Sequence, residues 1–289
     1  MNIGRILLTK KSLLTGRTYF YLSKKMMKKK TKKESERRKL IRKRSPKEKN
    51  MVQKLYDTCK EVFANGKAGY VPPPSDIHRL KLVLDSLEPE DIKLTVPSLE
   101  FSSRSGTEDE APLVTYIKLH ECNKFSIGIF CLPPCGVIPL HNHPGMTVFC
   151  KLLAGTMHAT SYDWVQNHQQ FNHCEQQSGI RLAKVHFDAD ITAPCDASVL
   201  FPKSGGNLHC FKALTPCILL DVLGPPYSES EGRHCTYYQD FTYDCFSGMT
   251  EDVKEVKVEE DGTRYAWLEE KNEQFVVLGG TYEGPTIQI

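Results

Sequence analysis

The chain has 289 residues, of which 40% are apolar, and its mean hydropathy is −0.40. Because no apolar run approaches the roughly 18–20 residues that cross a bilayer, we expect no membrane span. The net charge of +3 conceals an asymmetry, since residues 1–50 carry +16 and the remainder carries −13. An acidic folded part is not expected to contact nucleic acid directly.

Residues 1–45 are predicted to form a basic, disordered tail. Residues 1–24 contain no acidic residue and carry scattered Lys and Arg, which is the composition of a mitochondrial transit peptide. Residues 24–49 are dominated by Lys and Arg, and such a block repels itself. This block is typical of a nuclear localisation signal, with a solubilising tail as the alternative. We therefore expect a protein of the nucleus or the cytoplasm, with mitochondrial targeting as a further alternative.

The 11 cysteines are scattered and include no CxxC pair. This pattern excludes a zinc finger and a disulfide framework. A reducing intracellular compartment fits this pattern, with most of the thiols acting as small buried apolar groups.

Residues 46–289 are predicted to form one domain that opens with two helices. Ser45-Pro46-Lys47-Glu48 has the composition of a capping box with Pro at the first helical position. Apolar residues at helical spacing follow from Val52 to Phe63. After a run of three prolines, Ser75 is predicted to cap a second helix, whose apolar face runs from Leu80 to Leu87.

From residue 112 the chain changes to short runs rich in branched and aromatic residues, separated by Gly, Pro and Asn. Such runs are typical of the strands of an all-β sandwich or barrel. The predicted strands are Leu113–Leu119, Phe125–Leu132, Thr147–Leu153, Thr156–Tyr162, Ala183–Phe187, Ser198–Phe201, Cys217–Val222 and Phe275–Leu278. Residues 167–178 are polar and predicted to form a long loop that exposes His168, His173 and Cys174.

The strongest local motif is His141-Asn142-His143, followed directly by Pro144-Gly145. Alternate residues of a strand face the same side, so the two imidazoles should lie side by side near a strand end. A third histidine, His209, follows the flexible turn at Gly205-Gly206. Neutral imidazole is a ligand for iron, zinc and copper, which makes these three histidines candidate metal ligands. The alternative is a set of surface or hydrogen-bonded core histidines.

The spacing of these residues resembles the two motifs of the cupin superfamily. Gly136, His141, His143 and Gly155 match the first motif, although the first gap is one residue short. Its usual glutamate ligand falls on Val148. The second motif is matched, with a slightly longer gap, by Pro202, Gly206 and His209. Three neutral histidines leave the full charge on a divalent metal, which favours an anionic ligand such as a thiolate.

Longer stretches resemble the plant cysteine oxidases, which are related to the animal cysteamine dioxygenases. These stretches are HNHPGMTVFCKLLAGTMHATSYDW (141–164), GGNLHCF (205–211), LDVLGPPYS (220–228) and RHCTYY (233–238). The resemblance covers roughly residues 46–289 and leaves out the basic tail. It implies an all-β cupin double-stranded β-helix, a jelly-roll barrel, with Fe(II) held by His141, His143 and His209.

The resemblance also implies an activity. Enzymes of this family use O₂ to oxidise the thiol of an N-terminal cysteine to sulfinic acid, and both oxygen atoms enter the product. In plants the substrates are transcription regulators that oxidation marks for degradation, so that the enzyme acts as an oxygen sensor in the N-degron pathway of the hypoxia response. The expected partners are proteins with an exposed N-terminal Cys and O₂, and the expected state is a monomer.

Other residues take expectations from the same comparison. Asp221 is expected near the active site, where it would steer the substrate amine or orient a ligand, with a turn or capping Asp before Gly224-Pro225-Pro226 as the alternative. Tyr227 would hydrogen-bond near bound O₂ or substrate, or simply pack. Cys235 and Tyr237 resemble positions that carry a thioether crosslink in the animal relatives, and we expect no crosslink here. His158 is expected to be a surface or core residue, with support of a metal ligand as the alternative.

Three other functions remain open at this point. A dioxygenase of small thiols such as cysteamine or free cysteine would use the same ligands. A non-catalytic or hydrolytic cupin would hold zinc or nickel instead. A nuclear DNA-binding protein would rely on the +16 of residues 1–50, and its binding should fall steeply with salt.

Overall fold

A computed structural model describes residues 50–94, 112–165, 179–243, 263–272 and 275–289. The predicted tail, the capping box at Ser45 and the loop with His168, His173 and Cys174 lie outside these residues, as does the predicted boundary at residue 46. Within the described ranges, no helix has both the length and the apolar character that a bilayer crossing requires.

Two α-helices open the described domain. Helix α1 spans Met51–Val62, and Asn50 caps it by accepting a hydrogen bond from the backbone N–H of Val52 at 3.0 Å. Helix α2 spans Pro74–Asp85 and begins one residue before Ser75, so the prediction that Ser75 caps it is wrong. Proline tolerates the first helical position because the N–H that it lacks would have no partner there.

Twelve strands and two short 3₁₀ helices follow in the described residues. The 3₁₀ helices are Pro89–Ile92 and Glu229–Glu231. The strands are β1 Val114–Glu121, β2 Ser126–Leu132, β3 Val137–Asn142, β4 Thr147–Ala154, β5 Thr156–Trp164, β6 Ile180–Thr192, β7 Ser198–Leu200, β8 Leu208–Ala213, β9 Cys217–Gly224, β10 Tyr237–Thr242, β11 Tyr265–Lys271 and β12 Val277–Gly280.

The strands form two six-stranded sheets. The first sheet has the order β12-β1-β2-β9-β4-β7, and the second closes on itself in the order β10-β11-β6-β5-β8-β3. All neighbours are antiparallel except β1 and β12, which are parallel. The prediction of an all-β cupin double-stranded β-helix preceded by helices is confirmed.

Side-chain alternation divides the core into layers. The helices pack on the outer face of the first sheet through residues such as Leu55, Phe63 and Ile129. A second cluster joins the inner faces of both sheets, with Val148 and Leu219 from the first sheet and Phe211 from the second. The site described below faces this inner layer.

The eight predicted strands all exist, with ends that shift by a few residues. The largest difference is β6, which extends well beyond the predicted Ala183–Phe187. Strand β3 was predicted only through the motif at His141 and His143, and its bounds were not given. Three further strands, β8, β10 and β11, were not predicted, because their sequences are short or strongly polar.

Candidate metal centre

The second sheet brings the three predicted metal ligands together. His141 on β3 and His209 on β8 are register partners across two antiparallel strands, so their side chains leave the same face. His209 shares its face of β8 with Phe211, which packs in the inner layer. His143 follows β3 directly, and Gly145 with φ of 66° ends this segment in a turn, as the motif predicted.

The three imidazoles converge on one point. Their ligand atoms all lie within 4.8 Å of one another, and the Nε2 atoms of His143 and His209 are 3.0 Å apart. All three side chains are buried. Val148, at the usual glutamate position, is fully buried in the apolar inner layer, and no carboxylate joins the cluster among the described residues.

Burial keeps these histidines neutral. It lowers the pKa of His141 to about 4, with a smaller opposing effect from its backbone hydrogen bond. Burial, followed by the neighbouring imidazoles, lowers the pKa of His143 and His209 well below the ordinary value. Neutral imidazole is the form that binds a metal ion. The cluster carries no positive charge of its own and is therefore suited to a cation.

Hydrogen bonds on the far side of two rings fix which nitrogen carries the proton. Nδ1 of His141 lies 2.7 Å from the carbonyl oxygen of Pro139, which can only accept. The hydroxyl of Tyr227 lies 2.7 Å from the carbonyl oxygen of Asn142 and 2.9 Å from Nδ1 of His143. Since that hydroxyl donates its one proton to the carbonyl, Nδ1 of His143 must donate to it. Both rings therefore present a bare Nε2 to a metal.

Hydrogen bonds to the side chain of Asp163, which the sequence did not predict, hold the turn before His209. The carboxylate of Asp163 accepts backbone N–H groups from Gly205, Gly206 and Asn207 at 2.9–3.1 Å. The amide of Asn207 in turn accepts from the N–H of His143 at 3.3 Å and donates to its carbonyl at 2.9 Å. These bonds tie the two ligand-bearing segments to one another.

Gly206 meets a steric demand of this turn. Its φ is 82°, and a Cβ built there would lie 2.5 Å from Oγ of Ser161. A side chain at this position would disturb the turn that Asp163 holds, so glycine is required both for conformation and for space.

Asp221 lies inside β9 and is not the turn residue that the alternative interpretation placed before Gly224. It shares the inner face of β9 with Leu219, and its side chain is 5% exposed. Burial raises its pKa to about 7, against a smaller opposite effect from a hydrogen bond with the thiol of Cys150. Its Oδ1 has no hydrogen-bond partner among the described residues. The expected contact with substrate stays a prediction.

The other predicted residues take definite positions. Tyr227 bonds to His143 as described, so the structure makes it a positioning residue, while a contact with O₂ or substrate stays a prediction. Tyr237 is the register partner of His141, and the thiol of Cys235 hydrogen-bonds with Tyr237 and Tyr227. The absence of a crosslink stays a prediction. His158 is exposed and bonds to two aspartates of β6, Asp188 and Asp190, as expected for a surface histidine.

Similarity to known proteins identifies the family of this chain. The model of the PCO_ADO family matches residues 83–287. The chain belongs to the PCO_ADO family. Plant cysteine oxidase 2 of Arabidopsis thaliana is 53% identical over 258 residues, which cover 88% of this chain and 90% of the relative.

More distant proteins share parts of the chain. The 2-aminoethanethiol dioxygenase of Homo sapiens is 28% identical over 234 residues, which cover 74% of this chain and 82% of the relative. An RmlC-like cupin protein from Desulfovibrio desulfuricans with a solved structure is 18% identical, covers 45% of this chain and 96% of that chain, and has a TM-score of 0.27.

Proposed function

We propose that this protein is an Fe(II)-dependent thiol dioxygenase that oxidises the N-terminal cysteine of target proteins to cysteine sulfinic acid. The single observation that carries the proposal is the buried cluster of His141, His143 and His209, neutral and without a carboxylate in the described residues. Membership of the PCO_ADO family and 53% identity to a plant cysteine oxidase support the dioxygenase class.

The donor set fits iron. Imidazole nitrogens are common ligands of non-haem iron, and the bare Nε2 atoms described above are the lone pairs that such an ion needs. When bound there, ferrous iron supplies the redox chemistry that lets O₂ react with a thiolate. Because the three ligands are neutral, the site retains positive charge, which favours the thiolate over the thiol.

Residues of the chain prepare this chemistry in three ways. His141, His143 and His209 hold the ion from one side. Tyr227 orients the ring of His143, and the buried carboxylate of Asp221 offers an acceptor for the α-ammonium group of an N-terminal cysteine. The apolar residues of the inner layer would limit the access of water to a bound substrate.

The reaction balances without a separate reductant. The thiol R–SH and O₂ give the sulfinic acid R–SO₂H, and two S–O bonds form while the O–O bond breaks. Sulfur loses four electrons and the two oxygen atoms gain four, so the substrate supplies all of the electrons.

Mass spectrometry of a short Cys-initiated peptide, incubated in air with iron-loaded protein, tests the proposal. We expect a gain of two oxygen atoms confined to the N-terminal Cys, and no gain when its α-amine is acetylated. Oxidation of cysteamine or free cysteine without oxidation of the peptide would reassign the protein to small-thiol metabolism. A protein that oxidised none of these thiols would be a cupin of another activity.

His209→Ala tests the ligand assignment. We expect this variant to lose iron and turnover while its far-ultraviolet circular dichroism stays that of a folded barrel. His158→Ala is the matched control, because His158 is exposed and bonds only to surface aspartates in the described part of the chain. Near-normal turnover of His209→Ala would contradict the assignment.

The small-thiol alternative has its own support, since 28% identity links the chain to a 2-aminoethanethiol dioxygenase. The same three ligands would serve both substrates, so the peptide experiment separates them.

A role in oxygen sensing follows from the proposed reaction. An enzyme that consumes O₂ to oxidise an N-terminal cysteine couples the lifetime of regulators in the N-degron pathway to oxygen supply. The basic tail, a candidate nuclear signal, supports a location in the nucleus and the cytoplasm, where such regulators act. Supplying an N-terminal Cys reporter protein to cells with and without the enzyme, in air and in hypoxia, would test this role through the reporter's half-life.

A further inference from the structure

Three residues form a row across the first sheet beside the candidate metal centre. Gly128 on β2, Asp221 on β9 and Cys150 on β4 are successive register partners. Directly opposed residues of antiparallel strands share a face, and Cys150 packs in the inner layer. The row therefore faces the same interior as the three histidines.

Only part of the hydrogen-bonding capacity of the Asp221 carboxyl group in this row is used. The thiol of Cys150 forms a hydrogen bond with Asp221, and Oδ1 of Asp221 still has no partner among the described residues. A buried polar atom without a partner is unfavourable, so Oδ1 of Asp221 calls for a ligand that brings a hydrogen-bond donor. A cationic N–H group is the donor that best suits a carboxylate.

Tyr116 occupies the space above the glycine of the row. A Cβ built on Gly128 would lie 2.5 Å from Cε2 of Tyr116 and 2.7 Å from its hydroxyl oxygen. Any side chain at position 128 would displace the ring. Because Gly128 lies directly opposite Asp221, the absence of a side chain brings the tyrosine hydroxyl to the level of the carboxylate.

The immediate surroundings of Tyr116 support this placement. Its ring packs against Phe130 at a centroid distance of 4.9 Å, and the residue is half-buried. Burial, then Glu121 and then Asp221 raise its pKa to about 12, so the hydroxyl keeps its proton at neutral pH while its oxygen can accept a hydrogen bond.

We propose that Tyr116 is a specificity-determining residue, which together with Oδ1 of Asp221 receives the α-ammonium group of the thiol substrate. This inference rests on the proposed function. An α-ammonium group has three N–H donors and is mostly protonated at pH 7, since its ordinary pKa is about 8. One donor meets the carboxylate and a second meets the tyrosine oxygen.

The test compares two peptides on the full-length, iron-loaded protein. One begins with Cys, and the other has the same sequence but begins with 3-mercaptopropionyl, which lacks the α-amine. The dissociation constant of each is measured anaerobically by calorimetry, and kcat and KM are measured in air. The variants are Tyr116→Phe, which removes the hydroxyl and keeps the ring, and Gly128→Ala, which displaces the ring. Tyr265→Phe is the matched control, because Tyr265 packs in a separate apolar cluster.

Tyr116→Phe is expected to weaken binding of the Cys peptide about tenfold, the loss of one hydrogen bond to a charged group. KM should rise by a similar factor, kcat should change less than about twofold, and binding of the amine-free peptide should not change. Gly128→Ala should reduce further the ratio by which the protein binds the Cys peptide more tightly than the amine-free peptide. Tyr265→Phe should leave this ratio unchanged.

Two results would overturn the proposal. One is an unchanged amine preference in Tyr116→Phe, and the other is a fall in kcat with both dissociation constants unchanged. Because the dissociation constants are measured without turnover, a failure of this proposal can be distinguished from a failure of the proposed function. A wild-type protein that prefers the amine peptide through Tyr116 but oxidises neither peptide would support this proposal and refute the activity.

Discussion

His143 shows how one imidazole is prepared for a metal by its neighbours. The carbonyl of Asn142 takes the proton of the Tyr227 hydroxyl, and this leaves the hydroxyl oxygen to accept from Nδ1 of His143. The stacked arrangement of the two rings, with centroids 5.5 Å apart, restrains the imidazole further. The sequence indicated His143 as a ligand, but not this partner, because Tyr227 lies 84 residues away along the chain.

Tyr227→Phe should therefore weaken metal retention while the fold persists. Nδ1 of His143 would lose its acceptor, and removing such a supporting group typically costs about 10–100-fold in metal affinity. The measurement is iron content per chain after dialysis against graded chelator, with Tyr265→Phe as control. Iron retention equal to that of the wild type would show that Tyr227 does not position His143.

Asp221 gives a pH-dependent prediction. Burial raises its folded-state pKa to about 7 from an ordinary value of 3.8, so the unfolded chain releases this proton first as pH rises. Folding therefore loses stability between about pH 4 and pH 7, by up to about 4 kcal/mol at 1.36 kcal/mol for each pKa unit. Asp221→Asn removes this cost and should stabilise the metal-free protein at pH 8, with little effect at pH 4.

Denaturant unfolding of the metal-free wild type and Asp221→Asn at both pH values measures this difference. Asp190→Asn, an exposed change on β6, serves as control. The same Asn variant should bind a Cys-initiated peptide more weakly, because it lacks the charge for the α-ammonium group. Equal stability at pH 8 would contradict a buried, unpaired Asp221.

At the scale of elements, β8 and the turn before it carry the third ligand. Three backbone N–H groups of residues 205–207 point at one carboxylate, Asp163 at the end of β5. The Gly-Gly pair predicted a flexible turn, and both glycines have φ of 82°. The hydrogen bonds that immobilise the turn were not predictable, because their acceptor, Asp163, is 42–44 residues upstream and belongs to a different strand.

Asp163→Asn should loosen this turn. One amide oxygen replaces two carboxylate oxygens, and the amide N–H₂ faces backbone donors. Each hydrogen bond to a charged group contributes about 1.5–3 kcal/mol, so we expect a loss of at least about 2 kcal/mol in stability together with weaker iron retention. Thermal unfolding with and without iron measures both effects, and Asp190→Asn is again the control. An unchanged unfolding temperature in both states would show that the bonds to Asp163 contribute little.

Some of the strands that the sequence patterns predicted are more buried than some of the strands that the patterns missed. Strands such as β2 and β4 are buried along most of their length, so their apolar runs are unbroken and visible. Strands β10 and β11 carry polar or exposed residues at many positions, and they pair with one another across 22 intervening residues, far more than the roughly two to five of an ordinary hairpin loop. Their place in the sheet depends on partners that are distant in the chain.

At the scale of the whole molecule, the first helix of the described domain forms hydrogen bonds with residues near the C-terminal end of the chain. The side chain of Gln53 on α1 donates to the carbonyl of Gln288 at 2.9 Å and accepts from its N–H at 2.7 Å. Asn50, which caps the same helix, also donates to the carbonyl of Thr286 at 3.4 Å. Residues near the C-terminal end of the described chain therefore help to hold the first helix in place.

Removal of residues 1–45 should therefore leave catalysis intact. The truncated chain retains Asn50, both helices and every residue of the candidate metal centre, while it loses most of the positive charge of the tail. We expect kcat/KM on a Cys-initiated peptide within about twofold of the full-length value, and a changed distribution between nucleus and cytoplasm for a fluorescent fusion. A chain in which the Lys and Arg of residues 24–44 are replaced by Gln separates charge from length. If truncation abolished turnover with iron content unchanged, the tail would contribute to the site, and the predicted division of the chain at residue 45 would be wrong.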